Sequence, residues 1–149
     1  MINTSKISNP IAQRLIQTAI FVLFTYIGGK TNMAIVNFGP KIIPYPNNID
    51  PANFEMLKAT IPQFQPKHFL SPFLAHALGT FVSALGISLF IGDKKSRTFF
   101  AYLAALLFFI GGSMAVNMLP APMWFNITDL ALAYFPMAYI ALKINQKED

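Results

Sequence analysis

Four long apolar stretches, Leu15–Gly29, Phe69–Gly92, Phe99–Val116 and Ile127–Leu142, dominate the chain, and apart from tyrosines their only ionisable groups are His76 and Asp129. Hydrocarbon offers the backbone no hydrogen-bond partners, so a stretch that enters it must be a helix or join a closed barrel. A spanning strand needs about 9–11 residues and a spanning helix about 20, so stretches of this length read as helices. The first is the shortest. Arg14 and Lys30, which bound it, stand 16 residues apart, roughly 24 Å along a helix, so both charges reach the headgroup zones if their stems snorkel.

Composition closes off the soluble alternative. Of 149 residues, 54% are hydrophobic, 15 are Phe and only 11% are charged, against about 25% charged in ordinary soluble domains. The absence of cysteine excludes disulfides, thiolate metal sites and cysteine nucleophiles together. A net charge of +5 is not gathered into the dense basic stripe that phosphate neutralisation needs, so nucleic acid is not an expected partner.

The expectation is an all-α fold: a four-transmembrane-helix bundle forming one integral membrane domain over residues 1–149. The spans fall at about 11–32, 68–92, 98–117 and 124–143, with a short interfacial helix in the first outer loop, about 38–67. Four spans leave both termini on one face. That face collects Lys6, Arg14, Lys94, Lys95, Arg97, Lys143 and Lys147, while Lys30, Lys41, Lys58 and Lys67 lie opposite, a bias that puts the termini in the cytoplasm. Residues 6–29 have the outline of a signal peptide but no Ala-x-Ala-like site, so an uncleaved first helix is expected. The outer loop holds six of the eleven prolines, which favours extended or turning backbone. Asp50 as N-cap and Pro51 at the first position would open its one helix, with Phe54, Leu57 and Ile61 on one face.

Helix association in lipid relies on small residues and polar contacts. Ala75, Gly79 and Ser83 recur at steps of four in the second span, and Ala101, Ala105, Gly111, Gly112 and Ala115 mark the third, so these two spans are expected to form the tightly packed centre. Pro136 interrupts the fourth span and deprives the Leu132 carbonyl of its donor, which should kink the rod.

His76 lies well inside a span and should face protein or water, where it could relay a proton, touch a ligand or hold two helices together. Asp129 is its natural partner at the same depth. Asn117 and Lys30, at the outer ends of the third and first spans, could join them in one polar layer. Thr80 shares the His76 face, and Trp124 suits the interfacial belt. The binding candidates are therefore His76, Asp129, Asn117, Thr80, Lys30 and Trp124. A competing role for Asp129 is completion of a capping box begun by Asn126, which holds only if the fourth helix starts there. Nucleotide, zinc-protease and nucleophile-elbow motifs are absent, so no catalytic residue, metal ligand or cofactor is assigned.

The segments His76-Ala77-Leu78-Gly79-Thr80-Phe81, Pro120-Ala121-Pro122-Met123-Trp124-Phe125 and Asp129-Leu130 through Pro136-Met137-Ala138-Tyr139 resemble small four-helix bacterial membrane proteins of no established activity. The similarity covers about His68 to Leu142 and implies a bacterial inner-membrane setting, without a catalytic assignment. Membrane lipids are the expected surroundings, with a homo-oligomer or a larger membrane complex as partner. Three functions fit: binding or transport of a small solute, proton or lipid headgroup at the outer-leaflet cluster; service as an accessory subunit; or intramembrane catalysis by a His/Asp pair.

Overall fold

The computed structural model describes Thr4 and residues 7–50 and 52–145. Six α-helices follow in order: α1 Pro10–Ile42, α2 Phe54–Thr60, α3 Leu70–Phe90, α4 Lys94–Met118, α5 Met123–Leu132 and α6 Phe135–Ile144. Short 3-10 turns occupy Pro46–Asn48, Ile61–Gln63 and Pro66–Phe69, and there is no strand among the described residues. Four stretches are long and apolar enough to cross a membrane: Pro10–Ile42, Pro66–Phe90, Lys94–Met118 and Met123–Ile144. Outward-facing Val22, Leu23, Leu107, Ile110 and Ile127 would form an intolerable patch in water and suit acyl chains. Hydroxyls inside these spans bond back to their own helix, as Thr31 does to the Ile27 carbonyl (3.0 Å) and Ser113 to that of Phe109 (2.8 Å), so few are left unpaired in hydrocarbon.

α1 begins where Asn9 Oδ1 accepts from the amides of Ile11 and Ala12 and Pro10 takes the first position. It then runs some ten residues past the expected end. At 33 residues it is about 50 Å long, more than a hydrocarbon core of about 30 Å requires. Pro40 does not stop it, because the preceding Gly39 has no Cβ to clash with the proline ring and only one carbonyl, that of Val36, loses its donor. This last part of α1 is fastened to the start of α3. Ser71 donates to the Ile35 carbonyl at 3.2 Å, and the Ser71 side chain fills the place where a Cβ on Gly39 would stand.

α3 is the central helix, in contact with α1, α4 and α6. Its most extensive contact is with α1, not with α4 as the small-residue pattern led us to expect. Gly28 and Gly79 face each other so closely that a Cβ on Gly79 would lie 2.9 Å from the Gly28 carbonyl oxygen and 3.0 Å from Asn32 Cβ. Two turns further along α3, Gly86 accommodates the Phe24 ring. The other side of α3 packs alanines, with Ala84 and Ile87 against Ala101, Ala105, Ala138 and Ala141. The first and last described residues come to one end of the bundle: Thr4 Oγ1 accepts from the Gly92 amide at 3.3 Å, and Asn145 Nδ2 donates to the Ser88 carbonyl. We call this the terminal end and its opposite the lid end.

The lid is the connection between α1 and α3. Its helix starts later than expected, with Asn53 Oδ1 accepting from the Met56 amide at 3.1 Å, while Asp50 instead closes a turn onto the Ala52 amide at 2.9 Å. Pro51 lies outside the described residues. Leu57 and Ile61 turn inward onto Phe69 and Phe125, whereas Phe54 stays exposed. The fourth span is broken as Pro136 requires, at Ala133 and Tyr134, where Tyr134 has φ −118° and ψ −85°.

Two stability predictions follow from these contacts. Gly79→Leu should lower the unfolding midpoint in mild detergent by the equivalent of about 1–3 kcal/mol, the usual cost of forcing atoms into a filled contact. Gly111→Ala should leave it unchanged, since nothing lies within 4 Å of a Cβ there. Asp93 caps α4 through its 2.7 Å bond from the Ser96 amide, and hydrogen bonds from Ser96 hold its carboxyl below the ordinary value of 3.8. A depressed folded value means the cap contributes fully above 3.8 and is lost as pH falls through the folded value. Asp93→Ala should therefore cost about 1 kcal/mol at pH 7, and unfolding curves of wild type and variant should converge in acid.

Candidate functional site

His76 and Asp129 each lie six residues inside their helices, α3 and α5, about 9 Å below the helix starts at the lid end. They meet. His76 Nδ1 is 2.9 Å and 2.8 Å from the two carboxylate oxygens of Asp129, the one ion-pair contact among the described residues. α5 starts at Met123 with Pro122 before it, so Asp129 is two turns inside and the capping-box role is excluded. The carboxylate is buried to 2% exposure, and a buried carboxylate is costly unless its lone pairs are taken up. A third side chain completes the arrangement. Tyr134 donates its hydroxyl to Asp129 Oδ2 at 3.0 Å and stacks its ring on His76, with centroids 5.7 Å apart and planes 30° apart.

Tyr134 was not among the sequence candidates. Its position depends on the break between α5 and α6, which redirects the side chain, and on Gly112 of α4, whose missing Cβ leaves the space that the Tyr134 hydroxyl fills. The available signal was the proline two residues later combined with a tyrosine near the only acid of the span.

Against an ionised carboxylate, which can only accept, Nδ1 of His76 is the nitrogen that donates. In the neutral imidazole Nε2 then carries the lone pair, and this nitrogen has no protein partner among the described residues. His76 retains 21% side-chain exposure because it borders a cavity of about 160 Å³ beneath the lid. Apolar residues make most of the wall, among them Val36, Leu57, Ile61, Phe69, Val116 and Phe125. The polar contributors are Tyr45, His76, Asn126 and Asp129. Tyr45 belongs to the lid, and burial raises its phenol above the ordinary value of 10.0, which keeps it neutral. Asn126 donates from Nδ2 to the Ala121 carbonyl at 3.3 Å, while its buried Oδ1 has no partner among the described residues.

The expected four-helix polar layer does not assemble. Asn117 is exposed and turns back on its own helix, donating to the Ser113 carbonyl at 2.8 Å. Lys30 is exposed with its ammonium 5.4 Å from the Tyr26 ring centroid. Trp124 is 49% exposed and meets Phe69 edge to face at 5.5 Å, where it supports a cavity wall without bordering the cavity. Thr80 is fully buried and spends its hydroxyl on the His76 carbonyl at 2.8 Å. With Thr80 and Ser71 both committed to backbone oxygens, neither hydroxyl stands against His76 as a nucleophile would. No group of three or more His, Cys, Asp or Glu side chains able to hold a metal occurs among the described residues.

No family model, curated protein or solved structure matches the chain.

Removing one member of a buried pair leaves the other uncompensated, which is costlier than replacing both. His76→Leu should therefore destabilise the protein in detergent by about 3 kcal/mol, and the double replacement His76→Leu with Asp129→Leu should recover most of that loss. Tyr134→Phe should cost about 1–3 kcal/mol in the wild-type background and much less once Asp129 is Leu. Thermal unfolding of the wild type, the single variants His76→Leu, Asp129→Leu and Tyr134→Phe, and the two double variants containing Asp129→Leu checks the coupling, and additive losses would dissolve the triad.

Proposed function

We propose that the chain is a bacterial inner-membrane protein with cytoplasmic termini whose cavity, in the outer leaflet, binds a small lipid-soluble molecule by its polar head. The orientation rests on the excess of Lys and Arg at the terminal end, and the bacterial setting rests on the resemblance drawn from the sequence. The observation that carries the binding reading is an apolar-walled cavity beside His76, whose Nδ1 is committed to Asp129 while its Nε2 is open. Such a site, mostly apolar with a few placed polar groups, is the ordinary form of a small-molecule pocket.

The polar atoms also define the head. In the tautomer that Asp129 imposes, His76 Nε2 accepts, and the unpartnered Asn126 Oδ1 accepts as well. Two acceptors in an apolar chamber favour an uncharged head with a hydroxyl or N–H donor and reject a carboxylate, whose desolvation nothing there repays. The lid residues Leu57 and Ile61 would cover the body of the molecule.

Mass analysis of the protein extracted in mild detergent tests this. The wild type should retain an uncharged, donor-bearing apolar molecule that is lost from Ala115→Trp, which fills the cavity, and from the folded double variant His76→Leu with Asp129→Leu. Identical retention by all three proteins would overturn the reading.

A further inference from the structure

At the terminal end, far from the His76 cavity, α4 and α6 part around a second cleft of about 130 Å³, bordered by Lys94, Arg97, Thr98, Tyr102, Tyr139 and Lys143. Three cations meet there, and no carboxylate borders the cleft among the described residues. No Asp or Glu lies within ion-pair distance of Lys94, Arg97 or Lys143 among the described residues, with Glu148 and Asp149 outside them. The nearest acid in sequence, Asp93, is engaged with the Ser96 amide. Arg97 Nε is buried and has no hydrogen-bond partner among the described residues. An unpaired guanidinium donor is costly to bury, so its persistence in a cleft marks a place for an acceptor. Lys143 holds its ammonium 5.6 Å from the Tyr139 ring centroid, which keeps that charge at the cleft rim.

We infer that this cleft binds a phosphate group, that of an anionic phospholipid headgroup or of a soluble phosphate. Phosphate oxygens match the planar fork of Arg97, the point charges of Lys94 and Lys143, and the hydroxyls of Thr98 and Tyr102. The cleft stands where two spanning helices meet the interface, the level at which lipid phosphates lie, and basic pockets of this kind between helices hold anionic headgroups.

The full chain in nanodiscs of phosphatidylcholine with and without phosphatidylglycerol tests the site, with retained lipid read by native mass analysis. The wild type should retain phosphatidylglycerol over phosphatidylcholine, and Arg97→Gln with Lys143→Gln should cut that preference by roughly fivefold for each charge removed. Arg97→Lys with Lys143→Arg should keep most of it. Lys41→Gln with Lys58→Gln, which removes the same charge at the lid end, should leave it unchanged. Retention that survives millimolar inorganic phosphate supports a lipid headgroup, and displacement by inorganic phosphate supports a soluble phosphate in the same cleft. Equal retention of both lipids by the wild type together with no retained inorganic phosphate, or an equal loss in the lid-end control, overturns the site. Circular dichroism melting of each variant separates a lost site from a lost fold.

Discussion

A buried carboxylate in a chain surrounded by hydrocarbon must be answered by its own protein, and much of the lid-end architecture serves the answer to Asp129. Three helices are drawn to it: α3 supplies His76, α5 the carboxylate itself, and the start of α6 is approached through Tyr134. α4 takes part by omission, since Gly112 leaves room for the phenol. In water each of these contacts would be exchanged for hydration at little net gain. Within a low-dielectric bundle, losing one of them strands a charge, so the triad fixes the relative position of helices that apolar packing alone would let slide.

The break in the fourth span is the geometric condition for that arrangement. On a straight helix, residues five apart point about 140° away from each other, so Tyr134 could not return its hydroxyl to Asp129. Pro136 removes the donor that would have continued the rod, and the chain takes a non-helical conformation at Tyr134. The proline is thus tied to the site through the backbone, although its side chain touches none of the polar atoms. Helix unwinding elsewhere in the span would cost the same hydrogen bonds without supplying a third partner to the carboxylate.

These couplings explain which features could be read from the sequence. Apolar length is a property of the chain itself, and the four spans, the lid helix and the site of the kink were legible because each follows from local chemistry. Axial depth was legible too, which is why His76 could be paired with Asp129. Rotation about the helix axis was not, and it decides the rest. Asn117 and Lys30 have suitable depth but face away, and each satisfies itself locally. Tyr134 was hidden because its direction is set by broken backbone. The stripe of Gly79 and Ser83 identified a packing face but pointed to the third span as its partner; α1 took it, since Gly28 meets Gly79 with backbone against backbone. The extra length of α1 was hidden by Pro40, whose usual meaning is reversed by the glycine before it.

The two ends of the bundle differ in what they leave unsatisfied, and this difference carries the functional argument. At the lid end the carboxylate of Asp129 is answered by hydrogen-bond donors, and the atoms left over are His76 Nε2, an acceptor in the neutral imidazole, and Asn126 Oδ1. At the terminal end the charge is retained, with Lys94, Arg97 and Lys143 around a cleft and the nearest acid engaged in capping. A neutral acceptor in an apolar chamber discriminates by hydrogen-bond complementarity, because any charged head must give up its hydration there. A cationic cleft at the interface discriminates by charge, because water remains close and the gain is chiefly Coulombic. On the two proposals, one bundle sets two recognition problems at opposite ends, and α3 joins them: its first turns carry His76, and its far end turns directly into the helix that presents Lys94 and Arg97.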